Sequence, residues 1–183
     1  MPVTIRTLGH GAQTADAFVA LVTGAAVGHV VDVRSYPGSR RHPHFGRPDL
    51  EEWLPAAGVT YSWERRLGGR RKPSPDSRHA GLTHEGFRAY ADHMQSAEFA
   101  AGLAEVLDLT AGRADGGVAA MCAESVWWQC HRRLLADALV LLHGVTVEHL
   151  MPDGRLAPHR PTEAARVEGG GLVYDVGETG RLL

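Results

Sequence analysis

The sequence predicts an α/β domain with a mostly parallel sheet of about five strands and helices on both faces, in a Rossmann-like three-layer architecture. Three observations lead to this prediction. Short β-prone segments alternate along the chain with segments whose apolar residues recur at helical spacing. One β-prone segment, residues 30–33, is short and apolar enough to be buried on both faces. Strands that alternate with helices are typical of a parallel sheet covered on both sides.

The predicted elements follow in chain order. Strands are expected at residues 3–8, 30–33, 59–61, 117–122 and 145–150. Helices are expected to start at Thr14 or Asp16, at Asp49, at Thr83, at Ser96 and near Gln129. The last helix should end at His143, because Gly144 is well placed as its stop.

The domain organisation is predicted to be simple. A chain of 183 residues is about one domain long. We expect a single α/β domain over residues 1–151 and a C-terminal tail over residues 152–183. The tail is rich in glycine, proline and charge, so it should be partly irregular, and a short edge strand is predicted in it at residues 172–174.

Composition and charge limit the function classes. The net charge of −2 does not point to a nucleic-acid or membrane partner, yet nine of the nineteen basic residues fall within residues 34–72, against four acids. Local binding of an anion is therefore compatible with the total charge. Two cysteines are too few for a secreted disulfide scaffold, and no secretory signal or bilayer-spanning run is present. The expected location is the cytoplasm, with reduced thiols and no membrane partner.

Polar and ionisable residues follow three of the predicted strands at the points where those strands end. They are Gly9 and His10 after the first strand, Asp32, Arg34 and Tyr36 after the second, and Cys122, Glu124, Cys130, His131 and Arg132 after the fourth. Ligands of parallel sheets bind beyond the carboxyl ends of the strands. We therefore predict that these residues gather around one site at that edge.

Within this group, Cys130 is the predicted nucleophile. It lies at or near the start of the last helix, where free N–H groups and the helix dipole favour an anion and lower the pKa of a thiol. Arg132, in the first helical turn, could hold a carboxylate or phosphate with two hydrogen bonds. The alternative for Cys122 and Cys130 is packing in the core without chemistry.

The other predicted roles are proton transfer and substrate binding. Glu124, Asp32 and His10 are the proposed proton carriers beside Cys130. Asp32 and Arg34 flank Val33 and share a face of an extended strand, so a plain structural ion pair is an equal alternative. The predicted substrate-binding residues are Gly9, Arg34, Tyr36, Cys122, His131 and Arg132.

No particular cofactor follows from the sequence. The segment Gly68-Gly69-Arg70-Arg71 lacks the Gly-Lys-Ser/Thr of a phosphate-binding P-loop, and Gly9-His10-Gly11 lacks the third glycine of a dinucleotide-binding loop. A zinc site would use Cys122, Cys130, His131 and His10. Their spacing is not that of a paired-cysteine motif, so the site is predicted without a metal, and a metal centre stays open as an alternative.

Five sequence blocks carry a family resemblance. They are Thr7-Leu8-Gly9-His10, Asp32-Val33-Arg34-Ser35-Tyr36-Pro37, Leu67-Gly68-Gly69, Gly86-Phe87 with Tyr90-Ala91, and Met121-Cys122-Ala123-Glu124 with Cys130-His131-Arg132. On these blocks the chain resembles the bacterial and archaeal family called domain of unknown function 488. The resemblance implies a compact α/β domain of cytosolic type and brings no agreed activity with it.

Three hypotheses about function remain open at this point. The first is an enzyme, such as a cysteine-dependent hydrolase or transferase, acting on a phosphate-bearing or other anionic substrate that could be a nucleotide or nucleic acid. The second is a non-catalytic nucleic-acid-binding module that uses the basic loops at residues 34–47 and 65–72. The third is a metal-binding protein built on cysteine and histidine. The oligomeric state is not predicted.

Overall fold

The computed structural model describes residues 3–113 and 117–175, and most of its strands belong to one sheet. In chain order these strands are β1 (Thr4–Gly9), β2 (Val27–Asp32), β3 (Thr60–Trp63), β4 (Gly117–Cys122), β5 (Thr146–Leu150) and β6 (Leu156–Pro158). Across the sheet their order is β3-β2-β4-β1-β5-β6. The first five run parallel, and β6 pairs antiparallel with β5. The mostly parallel sheet is confirmed, with six strands where about five were predicted.

Five α-helices cover the two faces of this sheet. They are α1 (Ala15–Gly24), α2 (Arg47–Ala56), α3 (Glu85–His93), α4 (Ala97–Ala111) and α5 (Arg132–His143). Apolar residues of α1 and α2 form one core with Val30 and Met121 of the sheet. Residues of α3, α4 and α5 form a second core with Val31 and Ala120, which point to the opposite face. The three-layer α/β class is confirmed. None of the helices in the described ranges combines the length and the apolarity that crossing a bilayer requires.

Local sequence signals set most of the helix ends. Thr14 and Ser96 accept hydrogen bonds from helix N–H groups at the starts of α1 and α4, and Gly144, with φ of 64°, ends α5. Some helix starts differ from the prediction. Helix α2 begins at Arg47 and not at Asp49. His84, and not Thr83, caps α3, because its side chain accepts the hydrogen bond from the helix N–H.

The segment after residue 152 is built onto the domain. It supplies β6 and then a hairpin of β7 (Ala165–Glu168) and β8 (Gly171–Tyr174). The strand predicted at residues 172–174 forms as β8, but it pairs with β7 in a separate two-stranded sheet, and the edge strands of the main sheet are β3 and β6. Leu172 and Tyr174 are buried in the core that contains α5. The predicted division after residue 151 stays a prediction, and residues 176–183 lie outside the described ranges.

The topology leaves a crevice at the carboxyl edge of the sheet. Strand β4 lies between β1 and β2. The helices that follow β1 and β2 pack on one face, whereas α5, which follows β4, packs on the other. Loops that leave neighbouring strands toward opposite faces open a ligand-binding crevice between them. Helix α5 begins at Arg132 and not near Gln129 as predicted, because Trp127–Gln129 forms a separate 3-10 helix and Cys130 is extended.

Candidate active site

A cleft of about 860 Å³ opens at this carboxyl edge. Its lining comes from the loops that follow β1, β2 and β4, from residues 69–70, and from the start of α3. Seven of the ten residues predicted for the site line it: His10, Arg34, Tyr36, Cys122, Glu124, Cys130 and His131. The fold therefore brings together residues from three strand ends that are far apart in sequence.

The other three predicted residues, Gly9, Asp32 and Arg132, do not line the cleft. A Cβ atom at Gly9 would overlap the carbonyl oxygen of Glu124, so the glycine lets β1 pass close to the loop that follows β4. Asp32 and Arg132 are buried beneath the cleft. Their predicted contacts with substrate stay predictions, and the contacts that the structure gives them are internal.

Asp32 holds the guanidinium of Arg34 in place. Nε of Arg34 donates to both carboxylate oxygens at 2.9 and 3.1 Å, and Nη2 donates to Oδ2 at 2.6 Å. The Tyr61 hydroxyl donates to the same Oδ2 at 2.8 Å. This is the ion pair that the sequence left open as an alternative to general-base chemistry. Burial opposes the charge of Arg34, but the hydrogen bonds and charge of Asp32 raise the pKa of Arg34 above its ordinary value.

His10 is held in one tautomer between two partners. Its Nδ1 donates to the carbonyl oxygen of Gly11 at 2.9 Å, and its Nε2 accepts from Nη1 of Arg34 at 3.2 Å. The ring stacks on Phe45 with centroids 4.2 Å apart. Burial, helped by the charge of Arg34, lowers the pKa of His10 to about 4. His10 is therefore a neutral imidazole near pH 7.

Four side chains meet at the floor of the cleft and directly beneath it, and we call them the thiolate cluster: Cys122, Cys130, His131 and Arg132. Sγ of Cys130 lies 3.5 Å from Nδ1 of His131 and accepts a hydrogen bond from Nε of Arg132 at 3.4 Å. Sγ of Cys122 lies 3.8 Å from the same Nδ1. Because Nε2 of His131 donates to the carbonyl oxygen of Val33 at 2.9 Å, the ring is fixed with Nδ1 toward the sulfur atoms.

The two thiols of the cluster differ in charge. Burial opposes ionisation of Cys130, but a hydrogen bond from Cys122 and the charges of His131 and Arg132 together hold the pKa of Cys130 well below its ordinary value. The hydrogen bond to Cys130, together with burial, raises the pKa of Cys122 well above its ordinary value. These opposite directions favour the thiolate form of Cys130 and the thiol form of Cys122.

Arg132 contacts Cys130 from the side of the thiolate cluster that faces away from the cleft. Only 1 % of the residue is exposed, and its Nη2 donates to the carbonyl oxygen of Glu124. The side chain reaches the β4 loop because helical side chains point toward the amino terminus of their helix, and Arg132 is the first residue of α5. The charge of Arg132 is directed at Sγ of Cys130 and at the loop after β4. The sequence instead predicts that Arg132 binds the substrate.

Three members of the cluster could hold a metal ion. The donor atoms of Cys122, Cys130 and His131 all lie within 4.8 Å of one another, and thiolate and imidazole are ligands that Zn²⁺ accepts. His10, the fourth ligand of the zinc alternative, is not part of this group, because its Nε2 faces Arg34.

Arginines outnumber carboxylates in the lining of the cleft. The lining contains one carboxylate, Glu124. It also contains three arginines and four histidines, which are Arg34, Arg41, Arg70, His10, His42, His84 and His131. Within residues 3–113 and 117–175, Arg41 and Arg70 form no ion pair. This local excess of basic side chains contrasts with the net charge of the chain, which is −2.

Comparison with known proteins identifies the family. The model of a family described as "Domain of unknown function DUF488" matches residues 14–139, which is more than half of the chain. The chain belongs to the DUF488 family. The DUF488 match includes β2, β3, β4 and the thiolate cluster, whereas His10 and the segment after α5 lie outside it. No curated protein and no solved structure matches the chain.

Part of the cleft of this DUF488 domain was not predicted from the sequence. His84 and Phe87 line the cleft from the start of α3, where no strand end precedes them. The one signal that could have found them is the Gly86-Phe87 block of the family resemblance. A Cβ atom at Gly69 would overlap the ring of His131, so this glycine lets the 69–70 loop lie against the thiolate cluster.

Proposed function

We propose that this protein is a cysteine-dependent hydrolase or transferase that acts on a phosphate-bearing or otherwise anionic substrate in the cleft. The observation that carries the proposal is the setting of Cys130. Its Sγ lies against His131 and Arg132 at the floor of a cleft with a surplus of cations. The thiolate is the reactive form of cysteine, and a cationic cleft favours anionic ligands, a class that includes nucleotides and nucleic acids.

For a phosphate monoester the steps are as follows. The thiolate of Cys130 attacks phosphorus, and the S–P bond forms as the P–O bond to the leaving group breaks. The leaving oxygen takes a proton from the carboxyl group of Glu124. Water then attacks the phosphorus and gives a proton back to Glu124, while the S–P bond breaks to restore the thiolate and release inorganic phosphate. An alcohol in place of water turns hydrolysis into transfer.

Glu124 is the proton carrier that the geometry favours. Its side chain lines the cleft and has no hydrogen bond or ion pair within the described parts of the chain. Both oxygens of Asp32 are instead engaged by Arg34 and Tyr61, and both nitrogens of His10 have partners. Asp32 and His10 are therefore positioning residues in this proposal, and both act through Arg34.

The remaining roles follow from charge and position. Arg34, Arg41 and Arg70 would bind the oxygens of the substrate, since all three line the cleft. Cys122 and Arg132 would stabilise the thiolate without touching the substrate. Neither Cys122 nor Cys130 forms a disulfide, which is compatible with the expected reducing, cytoplasmic location.

The test is protection of Cys130 from alkylation. Iodoacetamide at neutral pH should label Cys130 faster than Cys122, as peptide mass spectrometry can measure. Inorganic phosphate should slow this labelling, whereas chloride at the same ionic strength should not. Arg41→Gln and Arg70→Gln should weaken the protection, and Arg40→Gln should not, because Arg40 is exposed in the same loop but does not line the cleft.

Three results would contradict the proposal. Slow labelling of Cys130 would contradict its assignment as a thiolate. Equal labelling with and without phosphate would contradict the anion-binding site. A stoichiometric metal ion bound through Cys130 in the purified protein, detected by elemental analysis, would favour the metal-binding alternative, because a thiolate that coordinates a metal is not free to attack.

A further inference from the structure

We propose that the anionic substrate is a single-stranded nucleic acid, with its reacting phosphate in the cleft, unpaired bases stacked on Tyr36 and Trp128, and adjacent phosphates in a basic groove beside the cleft. This inference rests on the proposed function and names the substrate class of the same site. Three features support it: a basic groove beside the cleft, the unpaired cations of that groove, and two exposed aromatic rings.

The groove is continuous with the cleft. It has a volume of about 400 Å³, and its lining consists of Ser35, Tyr36, Arg65, Arg66, Arg70, Arg71 and Glu98. Ser35, Tyr36 and Arg70 line both the groove and the cleft. The backbone N–H of Arg70 donates to Oγ of Ser35 at 2.9 Å, which joins the loops that follow β2 and β3. A ligand that fills the cleft can therefore extend past Tyr36 into the groove.

Two of the four arginines in the groove are available to a ligand. Arg66 is paired with Glu64 at 2.6 Å, and Arg71 with Glu98 at 3.6 Å. Arg65 and Arg70 have no ion pair in the described part of the chain. With Arg41 in the cleft lining, unpaired cations line both the cleft and the groove, which share Tyr36. Charges spread over two connected cavities match a chain of successive phosphates better than a single phosphate group.

The aromatic rings point to bases between those phosphates. Tyr36 is 66 % exposed and Trp128 is 46 % exposed, and both line the cleft. Among the large hydrophobic residues that the structure describes, they are the two exposed aromatic ones. Trp128 is supported edge-on by Trp127, which stacks on His149 with centroids 4.1 Å apart. A supported aromatic ring beside a basic groove is the platform on which unpaired bases stack.

Base stacking distinguishes single-stranded nucleic acids from other polyanions as ligands of this site. The faces of paired bases are covered inside a duplex, and inorganic polyphosphate has no bases at all. Either ligand would use the arginines of the groove and leave Tyr36 and Trp128 without a partner. The exposed rings therefore favour an unpaired strand over both.

The test measures binding of a fluorescein-labelled, 5′-phosphorylated oligothymidylate to the full chain by fluorescence anisotropy, with displacement by inorganic polyphosphate and by a duplex of the same length. The oligothymidylate should bind more tightly than either competitor. Tyr36→Ala and Trp128→Ala should each weaken oligothymidylate binding at least about fivefold. Neither change should alter the affinity for polyphosphate. Leu156→Ala is the matched control, because Leu156 is a similarly exposed apolar side chain outside the cleft.

The arginines should behave differently from the rings. Arg65→Gln and Arg70→Gln should weaken binding of both oligothymidylate and polyphosphate. Each should also reduce the slope of log affinity against log salt by about 0.7 for oligothymidylate, the contribution of one neutralised phosphate on a single strand.

The proposal is overturned if oligothymidylate does not bind, if polyphosphate or duplex binds equally well, or if the Tyr36 and Trp128 variants bind oligothymidylate like the unsubstituted chain. Alkylation of Cys130 in the same variants keeps this outcome separate from the proposed function. Protection by inorganic phosphate without oligothymidylate binding would support the cysteine-dependent enzyme and exclude a nucleic acid as its substrate. Oligothymidylate binding without phosphate protection would remove the enzyme and support a non-catalytic binding module.

Discussion

Two polar networks meet on helix α5, and they differ in their access to solvent. The thiolate cluster opens into the cleft through Cys122, Cys130 and His131. The second network, which we call the histidine relay, consists of Thr7, Asp137, His149, His159 and Tyr174, all of them buried. It runs from β1 through β5 and the residue that follows β6 to α5 and β8, and none of its members lines the cleft.

The histidine relay is closed because its polar atoms bond to one another. The Thr7 hydroxyl lies 2.7 Å from Nδ1 of His149, whose Nε2 lies 2.9 Å from Nδ1 of His159. Nε2 of His159 lies 2.8 Å from Oδ1 of Asp137, and the Tyr174 hydroxyl donates to Oδ2 at 3.1 Å. Burial, helped by the charge of His159, lowers the pKa of His149 to about 3.

The comparison shows how the same residue types serve two purposes. A fully satisfied buried network joins elements and contributes stability, because breaking it leaves polar atoms without partners. A network that leaves a charged sulfur facing a cleft contributes less to the fold and more to reactivity. Substitutions in the relay should therefore change unfolding, and substitutions in the thiolate cluster should change chemistry.

The largest expected effect is the loss of chemistry in Cys130→Ser. With p-nitrophenyl phosphate as a probe, turnover should fall by a factor on the order of 10³ or more, because the hydroxyl is a far weaker nucleophile than a thiolate. Urea unfolding should be nearly unchanged. Cys122→Ser is the control, since its hydroxyl still donates a hydrogen bond to the thiolate. Equal turnover by Cys130→Ser and the unsubstituted protein would exclude Cys130 as the nucleophile.

The next largest effect is expected from a substitution that disrupts the histidine relay. Asp137→Asn should lower the free energy of unfolding by about 3 kcal/mol, because the amide cannot accept all the hydrogen bonds made to the carboxylate. The rate of Cys130 alkylation should stay the same. Asp153→Asn, in an exposed ion pair with Arg155, is the matched control and should leave unfolding unchanged. A stable Asp137→Asn protein would show that the relay is not a stabilising network.

Stability should fall in mild acid. Burial lowers the pKa values of His10 and His29 to about 4 and that of His149 to about 3, from 6.5 in the unfolded chain. Below pH 6.5 the unfolded chain therefore binds protons that the folded chain does not. The free energy of unfolding should decrease toward pH 4 by up to about 1.4 kcal/mol per pH unit for each histidine. A urea-unfolding free energy that is constant between neutral pH and pH 5 would contradict these buried neutral rings.

The smallest expected effect comes from a substitution that disturbs the thiolate cluster without replacing any of its four residues. Gly69→Ala would place a Cβ against the ring of His131, so the ring must shift from its present position beside the sulfur atoms, and alkylation of Cys130 should slow severalfold. Gly38→Ala is the control, because Gly38 also lines the cleft and a Cβ there has no atom within 4 Å. Equal slowing in both variants would indicate a general effect on the cleft.

The position of the site could be predicted from the sequence because it follows from topology. Once β1, β2 and β4 were expected to be parallel, His10, Arg34 and Cys122 had to meet at one edge of the sheet. The prediction needed only the strand assignments and the polar residues that follow them.

The internal arrangement of the site could not be predicted in this way. Arg132 turns toward the thiolate because α5 begins at that residue, and the exact start of a helix depends on local backbone angles that composition does not determine. The Tyr61 hydroxyl of β3 donates a hydrogen bond to Asp32 of β2, and such a contact between neighbouring strands cannot be read from either segment alone. His84 reaches the cleft from a helix start, where a rule about strand ends gives no information.

The central claim is that Cys130 is a thiolate in the folded protein, and the pH dependence of its alkylation tests this claim most directly. The rate of Cys130 labelling by iodoacetamide should reach half its maximum at a pH well below the value of about 8.5 of an ordinary thiol. Cys122→Ala should shift the midpoint upward, because the hydrogen bond to the thiolate is lost. A midpoint at or above about 8.5 in the unsubstituted protein would contradict the account.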